Sequence, residues 1–315
     1  MKKIMCGFLA AMFFAIVLPV YSQDVFVAGS VSGRATLWIN GVAQTLSNES
    51  SFAASVYVSD GNVYVAGRVG LGPAERATLW VNGIPRTLSN ERSFAHSVHV
   101  YGSNVYVAGG LGPFTTPGVG SDTRAVLWEN GIPRTLINEP STAHSVRVSG
   151  GNVYVFGQFQ DSRGRSSLWV NGVLHPYAAP GSSSGGMHVI NGNVYVARGR
   201  ELLVNGTRQT LSGSMFPPRL RSVYVSGGDV YVAGDVPEDS ESFFRSYFAT
   251  LWTNGVPKIL SNEHSQANAV RVSGRNVFIA GTVGIMENIR ATFWVNGRPQ
   301  RLSNERSNAH SIFVR

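Results

Sequence analysis

Three phrases, each repeated seven times, predict an all-β chain folded as a closed ring of seven four-stranded blades. A strand phrase of the VYVAG type begins at Val25, Val63, Val105, Val153, Val194, Val230 and Val277. The phrase LWVNG or a variant ends at Gly41, Gly83, Gly131, Gly172, Gly206, Gly255 and Gly297, and an SVxV-like phrase starts at Ser55, Ser97, Ser145, Met187, Ser222, Ala269 and Ser311. The first and last VYVAG phrases lie 252 residues apart, six intervals averaging 42, which is the spacing of blades built from four strands each.

The second unit shows how each blade is expected to form. Ser55 to Val58 is strand A, and Asn62 to Gly67 is strand B after a tight turn at Asp60-Gly61. Ala77, Leu79 and Val81 alternate with Thr78 and Trp80, the period-two pattern of a strand, here strand C. Asn82-Gly83 supplies the two positive φ angles of a type I′ hairpin, and strand D follows as Ile84 to Leu88. Pro85, Pro133, Pro257 and Pro299 all fall just after the hairpin, and proline cannot donate to a central ladder, so strand D is the outer edge. No segment after the first 22 residues has a convincing helical period.

The two ends predict how the ring closes. The chain enters its first unit at strand B, DVFVAG, and stops after a spare strand A, AHSIFVR. Pairing of Ser311–Val314 with Val25–Ala28 completes the first blade and leaves only short, protected edges.

Composition bounds the rest. With 43% apolar and 14% charged residues, the 315-residue chain can bury a sizeable core and is not disordered. Residues 1–22 read as a secretory signal: Lys2 and Lys3, an apolar run from Ile4 to Leu18, Pro19, then Val20-Tyr21-Ser22. The expected organisation is a leader over 1–22 and one domain over 23–315. That domain is expected to be exported to the periplasm, the cell surface or the medium, with no membrane span after leader removal. Cys6 is the only cysteine and lies in the leader, so neither disulfides nor thiolate chemistry are expected. Of the formal +8 charge, Lys2 and Lys3 contribute two, and the remaining basicity is nearly all arginine, Lys258 being the only later lysine. Arginine's planar fork suits fixed pairing. With no basic run and no recognisable motif, nucleic acid is not an expected partner.

The repeats resemble those of bacterial secreted β-propellers of the VYVAG and LWxNG type, and more distantly the WD-repeat propellers, although the Trp-Asp dipeptide of the latter is replaced by Trp-Val-Asn or a variant. The resemblance spans about the whole chain after the leader. It implies a propeller and transfers no activity, because propellers host enzymes, lectins and protein-binding platforms.

Candidate functional residues fall on the face carrying the B–C and D–A loops, where the loops from Gly109 to Arg124, Gly157 to Arg165 and Gly234 to Phe248 are long and uneven. Arg34, Arg76, Arg124, Arg165 and Arg290 precede strand C, while Glu49, Glu91, Glu139, Glu263 and Glu305 follow strand D. Pairs such as Arg76 with Glu91 are expected as blade-building clamps, with Trp80 and His96 as further structural repeat residues. By analogy with WD repeats, the histidine of AHS at His96, His144 and His310 is expected to tie the layers of a blade together.

Units four to six break these patterns and carry exposed aromatics, so Tyr177, Met215, Phe216, Phe243, Phe244, Arg245 and Tyr247 are the candidate ligand-binding residues. The favoured function is a non-enzymatic scaffold binding a protein or glycan, expected as a monomer. Alternatives are a hydrolase or lyase using Asp235, Glu238, Asp239 and His188, and a structural surface component. No catalytic residue, metal or cofactor is assigned. The GxSxG match around Ser183 lies in a Gly/Ser loop rather than a strand-to-helix elbow, and the Glu238, Asp239, Glu241 run reads as a solvated loop rather than a calcium site. The strand A positions Tyr57, His99, Arg147, Val189, Tyr224, Arg271 and Phe313, with His188 adjacent, approach a central channel where His or Arg would meet an anion, although burial between blades is the default reading.

Overall fold

The computed structural model describes residues 23–112, 122–159, 165–176, 185–209, 211, 217–238 and 246–315. These form seven antiparallel four-stranded sheets arranged as a seven-bladed propeller. In the second blade the strands are A, Ser51–Ser59; B, Asn62–Val69; C, Arg76–Val81; and D, Ile84–Thr87, paired in that order with D outermost. The inner strands of blades one to seven are Ser307–Val314, Ser51–Ser59, Ser93–Tyr101, Ser141–Ser149, Gly185–Ile190, Arg219–Ser226 and Ser265–Ser273. Among the described residues no helix is long and apolar enough to cross a membrane.

Closure occurs in the expected register. Val25 lies opposite Val314, Phe26 opposite Phe313, Val27 opposite Ile312 and Ala28 opposite Ser311. The joint is reinforced beyond the ladder, since Arg315 donates to the Asp24 carboxylate at 2.9 and 3.0 Å.

The LWVNG asparagines explain why this hairpin is repeated so faithfully. Asn82 and Gly83 adopt φ of 52° and 81°, as a type I′ turn requires. The asparagine side chain also works: Asn82 Oδ1 accepts the Val63 N–H at 2.8 Å, fixing the start of strand B against the C–D turn. The same bond recurs in all seven blades, from Asn40 with Val25 to Asn296 with Val277.

Blades join through strand C tryptophans. Trp38, Trp80, Trp128, Trp169, Trp252 and Trp294 are all fully buried. Trp80 packs among Phe26, Ala28 and Leu37 of the preceding blade, and its Nε1–H donates to Leu46 O at 3.0 Å. Losing such a ring costs about 3–5 kcal/mol against about 1 kcal/mol for a hydrogen bond, so packing dominates the joint. Leu203 takes this place in blade five, packing with Phe156 and Met187.

Each inner strand except that of blade five carries a β-bulge. In blade two the register passes from Ala53 opposite Gly67 to Ser55 opposite Ala66, leaving Ala54 as the extra residue. Equivalent shifts occur in blades one, three, four, six and seven. The bulge explains the glycine of VYVAG. A Cβ on Gly67 would run into the Phe52 carbonyl, and Gly29, Gly109, Gly157, Gly234 and Gly281 meet the corresponding carbonyl. Blade five confirms the link in reverse: its phrase reads VYVAR, with Arg198 replacing glycine, and its inner strand pairs without a shift.

Some boundaries differ from the sequence reading. Strand A begins at Ser51 rather than Ser55, because the bulge lets pairing continue past it. In blade six, strand B runs to Pro237 and strand C starts at Tyr247, so Asp235 lies in a ladder rather than a loop. Replacing Gly67 with alanine is expected to lower stability by about 1–3 kcal/mol, because carbonyl and Cβ cannot share that space. Chemical denaturation measures it, and an unchanged midpoint would show that strand A can flatten.

Candidate functional site: the central channel

The bulge residues determine what lines the axis. Because two residues of strand A face one of strand B, the extra side chain turns inward. His96, His144, Arg221, Asn268 and His310 occupy this position, with Ala54 in blade two, and all but Ala54 are polar or ionisable. Three residues beyond each bulge, and at His188 of the unbulged fifth strand, a second tier forms: Phe313, Tyr57, His99, Arg147, His188, Tyr224 and Arg271.

This tier is packed side chain on side chain. Tyr57 contacts Phe313 and His99 with ring centroids at 4.9 and 4.6 Å, and His188 contacts Tyr224 at 4.5 Å. The Arg271 guanidinium lies 5.2 Å from the Tyr224 ring centroid. His188, not Val189, therefore holds the tier position in blade five: it lies opposite Tyr195 as Tyr57 lies opposite Tyr64, while Val189 is buried in the core. Met187 corresponds to Val56, since the phrase in this blade has lost its serine.

The two tiers bound a cavity of about 480 Å³. Arg147 and Arg271 reach it from the second tier, His96, His144, Arg221, Asn268 and His310 line its wall, and Phe52 and Arg219 stand at its mouth on the B–C and D–A loop face. Its described lining includes four arginines and three histidines and no carboxylate.

Environment sets the charge of these groups. Burial, with the neighbouring His144 and Arg68 adding, pushes His96 down to about 3. His99 and His188 are likewise pushed down to about 3 by burial and by the Arg147 and Arg271 charges. His144 and His310 are pushed down to about 4, by burial and then by Arg198 and Arg68 respectively. The histidines are thus neutral at ordinary pH, while Arg147, lowered to about 9 by burial and by Arg271, remains charged.

The AHS histidine does not tie the layers of a blade. His96 stacks on Phe94 at 4.9 Å and on His144 of the next blade at 5.3 Å, facing the channel. The neighbouring serine does the tying: Val146 N–H donates to Ser97 Oγ at 3.2 Å, and Ser55, Ser222 and Ser311 accept equivalent bonds from the next inner strand. A second serine, absent from the sequence reading, is as regular. Ser93 Oγ accepts from Ala77 N–H and donates to Glu91 O, at 2.9 Å each, so the SNExS phrase folds the D–A corner. The five-residue phrase recurs at 47–51, 89–93, 261–265 and 303–307, and its last serine stands out once the buried hydroxyl is known.

Nor does the structure join Arg76 to Glu91. Arg76 donates to the carbonyls of Pro73 and Glu75, and the carboxylate in use is that of Glu75, which holds Arg68 at 3.1 Å and Arg92 at 2.9 Å. Of the seven candidate binding residues, Tyr177, Met215, Phe216, Phe243, Phe244 and Arg245 lie outside the described residues. Tyr247 is described: its hydroxyl accepts from Arg219 at 2.6 Å and its N–H donates to His264 Nδ1 at 3.3 Å.

Of the proposed acids, Asp235 and Glu238 fall among the described residues, Asp235 within strand B and Glu238 just past its end. Asp235 is fully buried and ion-paired to Arg221 at 2.8 Å, with burial pushing its carboxyl up against the opposing pull of that arginine. Asp239 and Glu241 lie outside the described residues, as does Ser183, and among the described residues no cluster of three His, Cys, Asp or Glu could hold a metal.

Fold and cavity define a seven-bladed propeller with a cationic central channel. No protein-family model matches the chain, and no curated protein matches it in sequence. Among solved structures, the sialidase of Trypanosoma rangeli in complex with the inhibitor DANA is similar at 12% identity and a TM-score of 0.52, over 88% of this chain and 56% of that one. A puromycin-hydrolyzing peptidase of Mycobacterium tuberculosis is similar at 12% identity and a TM-score of 0.53, over 89% and 53%. The chain spans about half the length of these structures, and at such identity the likeness is one of fold alone.

The channel histidines predict how stability depends on pH. Each is neutral in the folded protein until about pH 3–4 but titrates near 6.5 when exposed. The unfolded chain therefore binds more protons across this window, so stability falls as pH drops below about 6.5, by up to about 1.4 kcal/mol per pH unit for each histidine. Asp235 acts in the opposite sense but is one group against five. Urea midpoints at about pH 7 and pH 4.5 measure this, and a midpoint that holds or rises on acidification contradicts it.

Proposed function

We propose that this protein is an exported, non-enzymatic binding module that receives a small ligand, or the end of a larger one, in its central channel. One observation carries the reading: polar side chains from inner strands of several blades converge on a single cavity of about 480 Å³ that opens on the loop face. Concave sites with convergent polar groups are where ligands bind. The two similar structures are named for hydrolytic enzymes, yet hydrolysis is not the reading preferred here. The described lining presents no carboxylate pair for acid and base work, and the hydroxyls of Ser55, Ser97 and Ser222 already accept hydrogen bonds from the next blade.

Ala54 is the small member of the bulge tier and faces the cavity. Ala54→Trp is expected to fill the channel and abolish capture of ligands found by screening the wild-type protein against glycan and metabolite libraries. The triple change of Phe243, Phe244 and Tyr247 to alanine is expected to reduce capture only in part. Capture that survives Ala54→Trp and vanishes in the triple variant would place the site on the loops.

A further inference from the structure

The two arginines at the base of the cavity stand apart from the others. Arg68 and Arg92 share Glu75, Arg221 holds Asp235, and Arg315 holds Asp24. Arg147 and Arg271 have no carboxylate within ion-pair distance among the described residues. Arg147 Nη1 donates to Val146 O at 2.6 Å and reaches Ser97 Oγ at 3.5 Å, and Arg271 Nη1 donates to Val270 O at 3.0 Å. A guanidinium carries five donors, so most of the two forks stays uncommitted.

Blade construction does not account for this. The same tier position is filled by Phe313 in blade one and Tyr57 in blade two, so the ring accepts an aromatic where these blades carry a charge. Unpaired charge that is even half-buried ordinarily destabilises, and here two like charges oppose each other as well. Each lowers the proton affinity of the other groups around it: His99 and His188 both feel Arg147 and Arg271. The groups facing the pair are Tyr57, Tyr224, His99 and His188, none of them anionic.

We propose, resting on the channel reading above, that the channel floor is an oxyanion site in which Arg147 and Arg271 hold a carboxylate, sulfate or phosphate group between their guanidinium forks. Planar forks match such groups with paired hydrogen bonds, and water exclusion strengthens them. The anion supplies the charge that the protein lacks there. It enters either as a free ion or as the charged end of a larger ligand whose body occupies the wall of histidines above.

Thermal unfolding with added anions tests the site independently of the natural ligand. Sodium sulfate and sodium glucuronate are compared with sodium chloride and uncharged glucose at matched ionic strength. Sulfate or glucuronate is expected to raise Tm by about 2–4 °C at ten times its Kd, with chloride and glucose inert. Response to glucuronate alone identifies the charged end of a larger ligand, and response to sulfate identifies a free-ion site. Arg147→Gln and Arg271→Gln are expected to fold with an unchanged or higher Tm, since each removes an uncompensated charge, and to lose the shift. Arg147→Lys keeps the charge but not the fork and is expected to weaken binding about tenfold or more.

Absence of any anion-specific shift in the wild-type protein overturns the proposal, as does a shift that persists in both glutamine variants. A lowered Tm in those variants without an anion effect in the wild type would make the arginines structural. Channel capture that is blocked by Ala54→Trp but indifferent to Arg147→Gln would remove the oxyanion assignment alone and leave the binding-module reading standing.

Discussion

A main-chain carbonyl seated where a side chain would otherwise be is the constraint on which the channel depends. In six blades the bulged inner strand presses a carbonyl, that of Phe52 in blade two, over a strand B glycine. No residue with a Cβ fits beneath it. The bulge that this glycine permits turns one extra side chain toward the axis, and those extra side chains include His96, His144, Arg221, Asn268 and His310. One packing requirement thus links a repeated glycine in the sequence to the chemistry of the cavity wall. Blade five shows the alternative: Arg198 replaces the glycine, the strand pairs flat, and the arginine is buried with Ser166 as a hydrogen-bond partner.

Around this core the ring is held by small joints repeated many times. Buried indoles fill the space between blades, asparagine amides set the start of strand B, and serine hydroxyls bridge neighbouring inner strands. Because the joints use the same few residue types in every blade, the regular unit has little freedom left for function. The variation accumulates where the joints do not reach, on the channel-facing positions and on the loops at one face.

What was legible in the sequence was what is local. The Asn-Gly hairpins follow from φ preferences of two residues, the prolines mark an edge wherever they stand, and the closing register follows from matching two apolar strands. The bulge was not legible, because a two-against-one count exists only between strands and VYVAG reads the same with or without it. The sequence raises a central channel for His99, Arg147, His188 and Arg271 but keeps burial between blades as the default, because their convergence at the axis needs seven strands placed at once. The Arg76–Glu91 clamp failed for a related reason: periodic charges in a repeat need not face each other, and Arg76 finds nearer carbonyls while Glu75 takes the neighbouring arginines. Loss of the serine from the fifth SVxV phrase shifted its reading by one residue and exchanged Val189 for His188.

The charge of the channel is the property that connects this architecture to function. A described lining with four arginines and no carboxylate has an unbalanced field, and burial keeps the adjacent histidines neutral so that the imbalance sits on guanidinium groups. The most direct measurement is the anomalous difference map of a crystal soaked in selenate, an anion with the geometry of sulfate. The account predicts a peak between the guanidinium groups of Arg147 and Arg271. Peaks confined to outer-surface arginines, with none on the channel floor, would contradict it.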